Sequence, residues 1–120
     1  NWRLYPLPNR TIVRALAIAD DGYIYAGGQN EFGRFQPDAR GDWKYHSLRD
    51  LIPVADRSFE DVWEIEIVGG QVFFRASGKL FVYRNAAVEV LADKALVFLG
   101  QVAGNIYVQA GNGELFELNQ

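Results

Sequence analysis

The sequence predicts an all-β chain: about three four-stranded antiparallel blades, a fragment of a larger β-propeller. Three observations carry this expectation. Twelve glycines accompany many Val, Ile and aromatic residues, a composition of strands and tight turns. Short apolar runs are broken by Asp-Gly, Gly-Gly, Ser-Gly and Asn-Gly pairs, the residues that supply the backbone conformations of hairpin turns. The pattern also recurs. Aligned on Ile24-Tyr25, Val72-Phe73 and Ile106-Tyr107, the units are spaced by about 48 and then about 34 residues, bracketing the roughly 40–50 of propeller-blade repeats.

Residues 1–8 (NWRLYPLP) fit the outer strand of a preceding blade. A first blade occupies residues 12–48. Its opening strand, 13–19, runs into Asp20-Asp21-Gly22 and returns as 23–28. A turn across Asn30 to Gly33 leads to strand 34–36, which Pro37 stops, and Gly41-Asp42 opens strand 43–48. A second blade, 59–92, repeats the plan with strands 62–68, 71–76, 79–83 and 87–91. A partial blade, 95–120, supplies strands 96–102, 106–109 and 114–118. Residues 86–99 also fit a helical spacing through Val90, Leu91, Ala95, Leu96 and Leu99, but the repeat phase requires strands there. The expectation is eleven or twelve short strands and almost no helix. Residues 24–28 and 72–74 are nearly continuously apolar, as strands buried on both faces must be.

Composition narrows the chemistry. The 120 residues contain no Cys, which excludes thiol catalysis, thiolate metal sites and a disulfide scaffold. A lone His46 argues against a His metal site or a Ser–His triad. A net charge of −3 offers no broad footprint for nucleic acid, and no apolar run reaches the roughly 20 residues of a membrane span. The chain also has no Met and opens in mid-motif, so the sequence reads as a segment of something longer. Three blades are fewer than the usual ring of about four to eight. Closure then falls to further blades of a parent chain, which is favoured, or to a homodimer of six blades.

The residues also carry a family likeness. Asp20-Asp21-Gly22, Ile24-Tyr25-Ala26-Gly27-Gly28 and Glu31-Phe32-Gly33-Arg34-Phe35 resemble the strand, acidic-Gly turn and "GLNRFD"-like strand of two-component regulator propeller repeats. The stretch GGQNEFG is similar to the branch in which the propeller precedes a triple-tyrosine domain, a transmembrane helix and a cytoplasmic kinase or DNA-binding regulator. Gly41 with Tyr45-His46-Ser47-Leu48, and residues 59–63, fit the same branch. The likeness covers the first third best and thins after Tyr83; Ala26-Gly27-Gly28 departs from the commoner small-Thr ending. The resemblance implies a sensor on the periplasmic or extracellular side of a membrane-anchored bacterial protein, often responding to a glycan fragment. It implies no cofactor and no chemistry of its own. The alternatives are a protein-interaction or oligomerisation platform and part of a propeller glycan lyase or hydrolase.

Most polar motifs have a plain structural explanation. Asp20-Asp21-Gly22 supplies a hairpin turn, since adjacent carboxylates point apart and no third ligand is near. Glu64 and Glu66 share one strand face at a spacing a hydrolase could use, yet they are expected to edge a central channel or meet an Arg of the next blade. The three glycines within residues 27–35 lack the following helix and Lys-Ser/Thr of a phosphate-binding loop. Trp63, Phe73, Phe74 and Phe81 are expected in the core. Topology gives the better lead. In a four-stranded antiparallel blade, the second-to-third turn and the connection to the next blade leave on one face. That face gathers Gln29, Asn30 and Glu31 with Pro8-Asn9-Arg10, Ser77, Asn112 and the long connection 49–61. The candidate ligand-binding residues are therefore Gln29, Asn30, Glu31, Arg49, Asp56 and Arg57, with Arg suited to planar recognition of carboxylates and hydroxyls. As loop-tip residues, Asn30 and Arg57 are expected to tolerate Ala with little loss of stability.

Overall fold

The computed structural model describes residues 2–118. Asn1, Asn119 and Gln120, which the sequence reading places in the entering segment and at the close of the partial blade, lie outside the described residues. Eleven strands and three short 3-10 turns make up the described chain. Strands β1 (Val13–Ile18), β2 (Ile24–Gly28), β3 (Glu31–Pro37) and β4 (Trp43–Ser47) form the first sheet. The second holds β5 (Val62–Val68), β6 (Gln71–Ala76), β7 (Leu80–Arg84) and β8 (Ala87–Ala92). The third holds β9 (Leu96–Val102), β10 (Asn105–Ala110) and β11 (Leu115–Leu118). Each sheet is an antiparallel meander in chain order, and β1, β5 and β9 are the inner strands that pack side by side.

The apolar runs are explained by this stacking. In β6, Val72 and Phe74 face the first blade while Phe73 faces the third. In β7, Phe81 turns to the first blade and Leu80 and Val82 to the third. The middle blade therefore has no solvent face to keep polar. Between the first two blades, the Phe32 and Phe74 rings stack with centroids 4.1 Å apart, and Phe59 and Phe81 close around them. Burying each such ring is worth roughly 1.5–3 kcal/mol, so the interface between blades is itself the hydrophobic core.

Residues 86–99 form strands. Asn85 and Ala86 both take left-handed backbone (φ 51° and 61°), reversing the chain so that 87–92 pairs with β7, while 96–102 pairs with β10. Residues 2–7 carry no strand, and the preceding blade they are expected to close is not among the described residues; Leu7 buries itself against Ala26 and Phe35. Three readings are corrected. The turn between β2 and β3 is only Gln29-Asn30, so Glu31 begins a strand and is buried instead of sitting in a loop. Trp63 is 43% exposed, not core. Glu64 meets Arg75 of its own blade; from the next blade it accepts the Leu99 N–H at 3.1 Å.

Candidate functional site

The connections between blades converge on the face that β2–β3 turns reach. A 3-10 turn at Pro8–Arg10 sits there, and left-handed Asn9 and Arg10 bend the chain sharply before β1. Gly28 lies directly beneath. A Cβ on Gly28 would run into the carbonyl oxygen of Ile12, so only glycine lets the 8–12 connection settle on β2. Opposite stands the 48–61 connection, pinned by Ile52 and Phe59, which are almost fully buried. Between them is a cleft of about 470 Å³ lined by Asn9, Arg10, Thr11, Gln29, Asn30, Glu31 and Arg49, with Pro8 and Ile12.

Four of the six residues expected from sequence, Gln29, Asn30, Glu31 and Arg49, line this cleft. Asp56 and Arg57 do not. Arg57 is spent on the connection itself, donating to the carbonyls of Ile52 at 2.9 Å and Asp50 at 3.0 Å. Asp56 pairs with Lys79 at 3.2 Å, and Lys79 also reaches Asp93 at 2.9 Å. These two carboxylates hold the Lys79 ammonium above the ordinary lysine pKa, the Asp93 hydrogen bond being the larger cause.

Asn30 is likewise structural. Its Oδ1 accepts the N–H groups of Phe59 and Glu60, both at 2.8 Å, while its own N–H donates to the Glu60 carbonyl at 2.7 Å. An adjoining backbone bridge joins Gln29 to Asp61. The tip is a clamp, so Asn30 and Arg57 are not freely replaceable; both carry bonds that order the connection. Glu31 is fixed from below, its Oε2 accepting the Tyr45 and Ser47 hydroxyls at 2.7 Å each. Burial, and then the bond to Glu31, push the Tyr45 phenol well above its ordinary value. The cleft thus presents a held carboxylate, the amide of Gln29, and the backbone-anchored Arg49, whose Nη2 donates to the Arg57 carbonyl at 3.1 Å.

Sequence reasoning left Arg14 unassigned and placed Trp63 in the core. Arg14 and Trp63 stand on the inner strands beside this cleft, the guanidinium 5.4 Å from the ring centroid. A second groove, of about 450 Å³, on the open side of the first blade is lined by Tyr5, Leu7, Val13, Leu16, Ile24, Phe35 and Trp43. It is an almost wholly apolar sheet face, without converging polar groups. Among the described residues, no cluster of three or more His, Asp or Glu is arranged to hold a metal ion.

No family model and no curated protein matches the chain. Solved structures do. Virginiamycin B lyase from Staphylococcus aureus superposes with a TM-score of 0.62 at 15% identity over 97% of this chain and 44% of that one. A catalytically inactive variant of that lyase with quinupristin gives 0.59 at 14% identity, with the same coverage. PorZ, a surface component of the type-IX secretion system of Porphyromonas gingivalis, gives 0.49 at 19% identity over 92% of this chain and 16% of that one. The chain spans under half the length of the lyase chains it resembles. At such identities the lyase likeness speaks for the fold alone, and with the three stacked meanders it identifies the chain as consecutive blades of a β-propeller.

Proposed function

We propose that this chain is the ligand-sensing segment of an extracytoplasmic β-propeller, belonging to a transmembrane two-component sensor or transcriptional regulator and responding to a glycan-type ligand. The observation that carries the reading is the cleft of about 470 Å³, walled by segment 8–12 and by the 48–61 connection between blades, which buried anchors and backbone hydrogen bonds hold. A preorganised polar cleft loses little entropy on binding. Its carboxylate, amide and guanidinium supply both acceptors and donors for hydroxyl groups. The sequence resemblance to regulator propeller repeats supplies the location and the output. In this reading further blades of the parent complete the ring, and occupancy shifts a population of states that the membrane-anchored parent transmits.

Calorimetric titration of the chain with a panel of oligosaccharides tests the proposal. Gln29→Trp, at an exposed cleft-lining position, should fill the cleft and abolish saturable heats while leaving the fold intact. Equal heats for parent and variant would contradict it.

A second reading, a protein-interaction or oligomerisation platform, is favoured by one observation. Leu16 and Ile18 on one end of the arc, and Val102 and Leu115 on the other, are all more than half exposed. These faces suit blade-to-blade packing, with a parent's own blades or with a second copy.

A further inference from the structure

The three inner strands share an irregularity that the sequence does not reveal. In β1 the register slips between Val13 and Ala15, in β5 between Val62 and Glu64, and in β9 between Leu96 and Phe98. Each slip is a β-bulge at the second residue of the strand, and the extra residues are Arg14, Trp63 and Val97. A bulge re-aims a side chain out of the alternation of its strand. All three are exposed, whereas Val62 and Leu96, immediately before two of them, are buried. The backbone device is repeated in every blade, but the side chain it presents differs: a guanidinium, an indole and a small aliphatic group. Packing would call for similar residues at equivalent positions; a recognition surface calls for different ones.

The first two bulges meet. Arg14 lies 5.4 Å from the Trp63 ring centroid and pairs with Asp61 at 3.7 Å. The Trp63 indole N–H donates to the Ser77 hydroxyl at 3.1 Å, which fixes the ring orientation. Asp61 is bridged through its backbone to Gln29 of the cleft, so the bulge tier and the cleft share a wall. Resting on the top-face reading above, we infer that the Arg14–Trp63–Asp61 tier is a subsite for a neutral, hydroxylated ring of the pyranose kind. Arg14 covers one face of the indole, and the other face of this part-exposed ring carries the negative quadrupole charge that attracts the C–H face of such a ring. Arg14 provides planar donors and Asp61 acceptors, a matched pair for neighbouring hydroxyls. Asp61 already neutralises Arg14, so the tier does not call for an anionic ligand.

The test is calorimetry on the chain with neutral tetrasaccharides (gluco-, manno-, xylo- and galacto-configured) beside an oligoglucuronate of equal length. The expected result is saturable binding of at least one neutral member, weakened tenfold or more by Trp63→Ala and by Arg14→Ala, and largely retained by Trp63→Phe. Circular dichroism on each variant verifies folding, and the exposure of Trp63 makes its truncation tolerable. In a Trp2→Phe/Trp43→Phe chain, where Trp63 is the remaining indole, the same titration should change the fluorescence. Unchanged affinity in folded Trp63→Ala would overturn the subsite and leave the cleft reading standing. Preference for the oligoglucuronate would overturn the ligand class. No binding by any member would overturn the cleft reading together with the subsite.

Discussion

Asn30 holds left-handed backbone (φ 51°) and accepts two N–H groups at once, so its side chain and its conformation both serve the β2–β3 turn. Asn30→Ala loses both bonds and introduces a residue that disfavours this conformation. A loss of about 1–3 kcal/mol in urea unfolding is expected. Asn30→Gly should recover only the backbone part, and a midpoint unchanged in Asn30→Ala would refute the clamp. Tyr45 makes a pH prediction. Its folded pKa is raised, so the folded chain keeps a proton that the unfolded chain releases. Its stabilising contribution is complete below the ordinary phenol value of about 10 and is lost as pH rises beyond it. Unfolding at pH 8 and at pH 11 should therefore show an alkaline loss that Tyr45→Phe reduces. Equal losses in parent and variant would show that the Tyr45–Glu31 bond does not couple to folding.

Adjacent blades are joined by polar clasps as well as by phenylalanines. Arg75 pairs with Glu64 across β5 and β6 and donates to the Leu96 carbonyl at 2.7 Å, so one guanidinium ties the second blade to the third. Arg75→Leu should cost about 1–3 kcal/mol, at the lower end for a buried pair because the Glu64 side chain is 31% exposed. Adding Glu64→Leu should restore part of the loss, and purely additive losses in urea unfolding would show that the pair is not coupled. The strands themselves were legible, since short runs rich in Val, Ile and aromatics broken by Gly-containing turns mark sheet structure directly. The bulges were not: one inserted residue breaks the alternation once and reads as noise. Trp63 was misplaced for that reason, an aromatic on an apolar strand being core unless a bulge turns it outward. The cleft was legible through topology, which set the turn and the connections on one face. The roles of Asn30, Asp56 and Arg57 were not, because hydrogen bonds to distant backbone leave no sequence pattern. Residues 2–7 were read as a strand by their place before the first blade, and strand pairing is a property of the surroundings and not of the segment.

Across the whole molecule, the three blades form an open arc with an apolar face at each end. Leu16 and Ile18 are exposed at 63% and 72%, and Val102 and Leu115 at 65% and 62%. Such patches associate. Light scattering of the isolated chain should show concentration-dependent assembly, suppressed by Leu16→Lys with Val102→Lys; a monodisperse monomer at every concentration would contradict the assignment of these faces to blade packing. The proposed ligand face is separate from both ends, lying where segments 8–12 and 48–61 meet the upper ends of the inner strands. Hydrogen–deuterium exchange with and without a saturating neutral oligosaccharide addresses that separation directly. Protection is expected at residues 8–14, 29–31 and 49–63, with the outer faces of the first and third blades unchanged. Protection confined to those two outer faces, with the cleft unaffected, would contradict the sensing account and favour an interaction platform.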